Sequence, residues 1–61
     1  MDRQDTILIL HAYKNRNRVM ADDFDKAGDK EAARRYRHMA EWFADAIRRE
    51  EELDKKEKMN T

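Results

Sequence analysis

The chain has no cysteine, no proline and no serine, and Gly28 is the only glycine among its 61 residues. Without cysteine, neither a disulfide nor a thiolate metal site can form, and the redox compartment stays undetermined. Without serine, cysteine or a glycine-rich loop, the usual signatures of a catalytic nucleophile and of a phosphate-binding loop are missing. We therefore expect no enzymatic activity and assign no cofactor.

A charge imbalance and a long apolar run are also missing. The 14 basic residues balance the 14 acidic residues, so no net field attracts the chain to nucleic acid or to an anionic membrane. The longest apolar run is ILIL at 7–10, far shorter than the ~18 residues of a membrane span. The opening MDRQD has none of the features of a signal peptide. We expect a cytoplasmic protein with no membrane partner.

Apolar residues do recur at helical spacing in both halves of the chain. This spacing predicts one helix at about 5–27 and a second at about 30–50, followed by a charged tail at 51–61 that is helical or frayed. The stripe of the first helix consists of Thr6, Leu10, Tyr13, Asn17, Met20, Phe24 and Ala27. The stripe of the second consists of Ala32, Ala33, Tyr36, Met39, Ala40, Phe43, Ala46, Ile47 and Leu53.

Two residues, Gly28 and Asp29, separate the two predicted helices. Glycine readily takes the left-handed conformation that ends many helices, and aspartate is a favoured N-cap. Asp2 or Asp5 is the corresponding cap candidate for the first helix. A link of two residues forces the helices to run antiparallel. The predicted fold is a single all-α domain, an antiparallel two-helix hairpin over 1–61.

The centre of the chain resembles the helix pair of tetratricopeptide repeats over about half its length. The residues that carry the resemblance are Ala21, Phe24, Gly28, Asp29, Ala33 and Ala40. The proline that closes such repeats is missing, and Arg37 stands where an aromatic residue is usual. We interpret the match as convergence on the packing of a helical hairpin.

A chain of this size hides only about 60% of its unfolded surface, so one hairpin is marginal without further support. Self-association is the support that the composition leaves open. We expect a homodimer in the form of a four-helix bundle. Its predicted core consists of Leu10, Tyr13, Met20, Phe24, Tyr36, Met39, Ala40, Phe43 and Ile47.

Two surfaces are candidates for contact with a larger protein. The first is the flank of the second helix around Trp42, with Arg35, Met39 and Ala46, since exposed aromatics and methionine contribute strongly to protein interfaces. The second is the acidic segment with Asp22, Asp23 and Asp25. Both predict a small non-enzymatic adaptor or inhibitor, of the size that phages and mobile elements often encode.

The alternative is an RNA- or DNA-binding homodimeric bundle. Its contact surface would be an arginine ridge that follows phosphates, formed by Arg16, Arg18, Arg34, Arg35 and Arg37. His38, Glu41 and Asp45 also share one helical face, but this face lies to the side of the apolar stripe. We therefore assign no metal site.

Overall fold

The computed structural model describes residues 2–59, which form two helices, α1 (Arg3–Lys26) and α2 (Lys30–Met59). The helices pack against each other in an elongated hairpin of 51 × 16 × 12 Å. The predicted all-helical hairpin is confirmed within this part of the chain. Neither helix combines the length and the apolar character needed to cross a bilayer.

The two helices differ from the predicted ones mainly at the open end of the hairpin, where both are longer. α1 begins at Arg3 rather than near residue 5, and α2 continues through the charged tail to Met59. The last two residues of the tail, 60–61, lie outside the described residues. Of the two cap candidates of α1, Asp2 is the cap, since its Oδ1 accepts a hydrogen bond of 2.9 Å from the backbone N–H of Asp5.

The turn ends one helix and begins the next within two residues. Gly28 has φ +85° and donates from its N–H to the Asp25 carbonyl at 3.1 Å, while the Asp29 N–H donates to the Phe24 carbonyl at 2.9 Å. These two bonds form a Schellman motif, which satisfies the last carbonyls of α1. Asp29 also caps α2, because its Oδ1 accepts from the Ala32 N–H at 3.1 Å.

The contact between the helices is a seam of small side chains. The most buried residues are three alanines, Ala21 and Ala33 at 1% exposure and Ala40 at 3%. Toward the open end of the hairpin, each helix adds one buried isoleucine, Ile7 on α1 and Ile47 on α2. Alanine allows two helix axes to approach closely, but it leaves no space between them for a larger side chain. Burial of the two isoleucines contributes about 1.5–3 kcal/mol each.

One polar residue, Asn17, lies in this seam at 7% exposure. Its Nδ2 donates a hydrogen bond of 2.8 Å to the Tyr13 carbonyl one turn earlier. The amide is therefore satisfied within α1, which keeps the cost of burying it small.

The predicted core is only in part the core of the hairpin. Ala40 and Ile47 are buried, whereas Tyr13 and Met39 are 48% and 49% exposed. The other five predicted core residues are half-buried, namely Leu10, Met20, Phe24, Tyr36 and Phe43. The seam of α1 is turned toward Ile7 and Ala21, because the close approach of the helices excludes the large side chains.

Polar contacts connect the start of α1 with the last turns of α2. Arg3 contacts Glu50 at 3.1 Å through Nε and Glu57 at 2.6 Å through Nη1, and Gln4 donates to Asp54 at 3.2 Å. These contacts hold the end of α2 against α1 as a continuous helix. Within the last turns of α2, Asp54 pairs with Lys58 at 3.1 Å.

Replacement of Gly28 by alanine tests the turn. No atom lies within 4 Å of the position that a Cβ would take, so the only cost is the left-handed backbone. We expect Gly28→Ala to lower the free energy of unfolding by about 1–2 kcal/mol in urea at fixed protein concentration. Gly28→Asn is the control and loses less, because asparagine tolerates this conformation. Unchanged stability in Gly28→Ala would contradict the turn geometry.

Candidate functional site: an aromatic face on the hairpin

The two broad faces of the hairpin differ in chemistry. One, the aromatic face, consists of Tyr13, Met20 and Phe24 from α1 and of Tyr36, Met39, Trp42 and Phe43 from α2. Five of these residues line one shallow groove, which also contacts Arg16, and Phe24 joins Tyr36 and Met39 in the next groove toward the turn. The face therefore runs continuously along the outside of the seam.

Stacked rings join the two helices across the aromatic face. The Tyr13 and Phe43 rings lie 5.6 Å apart with planes 15° apart, and the Phe24 and Tyr36 rings lie 5.3 Å apart at 14°. The Trp42 ring meets the edge of Phe43 at 5.1 Å and 80°. Such ring pairs add about 0.5–1.5 kcal/mol each beyond area burial. They also hold the face in a defined shape before any partner arrives.

Much of this apolar area stays in contact with solvent. Trp42 is 62% exposed, Met39 49% and Tyr13 48%. Single exposed apolar residues are ordinary, but a contiguous set of aromatics and methionine typically marks an interaction site. The face therefore has the composition of an interface core.

The structure brings the predicted Trp42 flank together. Arg35, Met39, Trp42 and Ala46 follow one another at helical spacing along the outer border of the aromatic face. Arg35 and Met39 line one groove, and Met39 and Trp42 line the next. The Arg35 guanidinium pairs with Glu31 at 3.0 Å on the surface and remains 75% exposed.

The acidic segment does not form one surface. Asp25 accepts a hydrogen bond of 2.7 Å from the Lys30 ammonium across the turn. Asp22 lies 3.8 Å from Arg37 on the opposite face of the hairpin, and Asp23 is exposed on α1. The three carboxylates therefore point in different directions, and two of them already have a basic neighbour.

The five predicted arginines are likewise divided between faces. Arg18 and Arg37 line a groove on the face opposite the aromatic face, whereas Arg16 and Arg35 border the aromatic face. Arg34 is exposed. We call the opposite side the charged face, and its six charged residues are Arg18, Asp22, Arg37, Glu41, Asp45 and Arg48. Its three arginines are matched by three carboxylates, so the face has no excess of positive charge.

The three residues considered for a metal site take part in surface pairs. His38 Nδ1 lies 3.8 Å from Glu41, and Asp45 contacts Arg48. Among residues 2–59, no group of three or more His, Asp or Glu side chains is placed to hold a metal ion.

Five residues of the aromatic face belong to neither predicted contact surface, namely Tyr13, Met20, Phe24, Tyr36 and Phe43. The spacing predicts all five as bundle core, because spacing alone does not say which of them the hairpin leaves in contact with solvent. The alanines at positions 21, 33 and 40 were the available signal, since a seam of alanine leaves aromatics outside.

Comparison of the chain with protein-family models, with curated proteins and with solved structures found no match in any of the three.

The Asp25–Lys30 pair makes the turn sensitive to acid. The hydrogen bond from Lys30, helped by the charges of Lys30 and Arg37, lowers the pKa of Asp25. Because the pKa is lower in the folded state, the pair stabilises the hairpin above the ordinary pKa of aspartate. This contribution is lost as pH falls through the lowered pKa.

We therefore expect Asp25→Asn to destabilise the hairpin at neutral pH, with a difference from the unmodified chain that shrinks as pH falls from the ordinary pKa of aspartate through the lowered pKa. Urea unfolding at a series of pH values measures the difference. Lys30→Gln is the matched variant and should follow the same course, because it removes the other half of the pair. A difference that does not vary with pH would show that the pair contributes nothing.

Proposed function

We propose that the chain is a small non-enzymatic binding module, an adaptor or inhibitor, that acts by docking its aromatic face on helices of another polypeptide chain. The observation that carries the proposal is the contiguous set of exposed and half-buried rings and methionines on one side of the hairpin. Aromatic and methionine side chains are enriched at protein interfaces and account for much of their binding energy. In this proposal the module acts by binding its partner and catalyses no reaction.

The geometry favours a helical partner. Two parallel layers of helices bury each other's apolar stripes, which is the common way for an all-helical unit to complete its core. The grooves between Phe24, Tyr36, Met39 and Phe43 are open and shallow, which suits interdigitating side chains better than an enclosed small ligand. Both a larger helical protein and a second hairpin, in a homodimeric four-helix bundle, fit this description.

Protein docking has more support than the nucleic-acid alternative. A surface that follows phosphates needs a basic patch, and affinity then falls steeply with salt. The arginines of this chain are divided between two faces and are balanced by carboxylates on the charged face. The case for protein docking rests on the apolar area of the aromatic face and does not need an excess of charge.

Met39→Glu tests the docking surface. A carboxylate at this exposed position should leave the helices intact but weaken docking at least tenfold, because the charge must be desolvated in an apolar contact. Leu8→Glu is the matched control, since Leu8 is 65% exposed and lies outside the aromatic face. The measurement is retention of polypeptides on the immobilised chain, with their identity by mass spectrometry and helix content by circular dichroism.

We expect the polypeptides retained by the unmodified chain to be retained by Leu8→Glu and lost with Met39→Glu. Equal retention by both variants would contradict the proposal. Retention of RNA or DNA by all three chains, with loss of that retention at moderate salt, would instead support the nucleic-acid alternative.

A further inference from the structure

We propose that the occupant of the aromatic face is a second copy of this chain. The two copies are related by a two-fold axis parallel to the helices, so that both turns lie at the same end of the bundle. This inference rests on the proposed function and names the partner of the same surface. Three features support it. They are the size of the face, the small core that a single hairpin buries, and the charges along the borders of the face.

The size of the face suits a dimer. Two helices of about 10 Å diameter over the 24 residues of α1 present a face of about 700 Å². A standard stable interface buries about 800 Å² on each partner. The hairpin alone fully buries none of its large side chains, so the second layer would supply the core that the alanine seam cannot. Two identical hairpins can stack with their turns at the same end or at opposite ends, and the charges at the borders favour one of these arrangements.

Charged and aromatic residues mark the two outer borders. The α1 border consists of Asp5, Arg16 and Asp23, whose separations of 11 and 7 residues are close to three and two helical turns. Arg16 lines the aromatic face, which places this border beside it. The α2 border consists of Arg35, Trp42 and Arg49, separated by 7 residues each, and Glu31 pairs with Arg35 from one turn earlier. At the three positions of each border, the first carries acid, base and acid, and the second carries base, aromatic and base.

The heights of these residues along the hairpin follow from contacts between the helices. Phe24 stacks on Tyr36 and Asp22 pairs with Arg37, so Asp23 lies level with Arg35 to within one helical turn. Tyr13 stacks on Phe43, so Arg16 lies level with Trp42 to within one turn.

At the open end, Gln4 contacts Asp54 and Arg3 contacts Glu50. These two contacts place Asp5 within about one turn of Arg49, a distance that an arginine side chain spans. All three residues of the α1 border thus have a counterpart of similar height on the α2 border.

With both turns at the same end, α1 of one copy lies beside α2 of the other at these same heights. Asp23 of one copy then faces Arg35 of the other, Arg16 faces Trp42, and Asp5 faces Arg49. Two of these contacts join opposite charges, and the third places a guanidinium against an indole, a favourable cation–π contact. The two-fold axis forms each contact twice.

The alternative places the turns at opposite ends, so that each border faces its own copy. For two copies centred at the height of Trp42 and Arg16, Arg35 then faces Arg49 of the other copy, and Arg16 faces Arg16. Like charges oppose each other in this arrangement. Charge therefore selects the arrangement with both turns at the same end.

The test begins with mass and distance. Light scattering over a hundredfold concentration range should give a complex of twice the 7.4 kDa chain. Because the chain has no cysteine, Lys26→Cys places one spin label per copy near the turn, and Lys56→Cys does so at the other end. With axes about 10 Å apart, pulsed dipolar spectroscopy should give about 25 Å for Lys26→Cys in the proposed arrangement. The opposite arrangement adds about 30 Å along the axis and gives about 36 Å or more for each label.

Charge exchange then tests the border contacts. Arg35→Glu and Asp23→Lys should each weaken dimerisation about tenfold, because each places two like charges in contact twice per dimer. The double variant restores opposite charges and should recover most of the affinity. Arg34→Glu is the matched control, since it makes the same charge change on the neighbouring residue, off the border, and should leave the dissociation constant unchanged.

A dimer with short distances for both labels, together with recovery in the double variant, supports the inference. A dimer with a long distance for either label, or a double variant no better than the single ones, overturns it. A chain that stays monomeric at every concentration also overturns it. If such a monomer still retains a larger protein and Met39→Glu abolishes that retention, the inference fails while the proposed function stands.

Discussion

The close approach of two helices along a seam of alanine is the constraint on which the rest of the structure depends. Ala21, Ala33 and Ala40 leave no space between the helices for a ring, so the aromatic side chains lie beside the seam instead of inside it. The rings stack across the helices in pairs and produce one apolar face, while the pairs of Arg37 with Asp22 and of Arg48 with Asp45 lie on the other. We infer that the hairpin is half of a core and that its function begins with what completes that core.

The proposed dimer and the proposed docking of a larger protein draw on the same surface, and this gives them a thermodynamic link. A larger protein that binds the aromatic face must displace the second copy, so its apparent affinity falls as the concentration of the chain rises. A larger protein that binds the charged face or the outer borders would meet a complete bundle. The proposed adaptor or inhibitor would thus be either the bundle or the hairpin released from it.

Local chemistry made the hairpin predictable from sequence. Gly28 and Asp29 mark the turn because each has a backbone role that few residues fill, and the helical stripes follow from spacing alone. The sequence does not show in the same way which side of α1 packs against α2. Ile7 and Tyr13 are both apolar, and only the distance between the two helices determines which of them is buried. The contacts of Arg3 with Glu50 and Glu57 depend on the height at which the helices meet, which spacing within one helix does not reveal.

The central claim is that the hairpin depends on a second layer over its aromatic face. The most direct measurement is the midpoint of thermal unfolding, followed by circular dichroism at 222 nm over a hundredfold range of chain concentration. If a second copy completes the core, the midpoint rises with concentration, because association stabilises the folded form by mass action. A midpoint that stays constant over that range would show that the hairpin is stable by itself and would contradict the account.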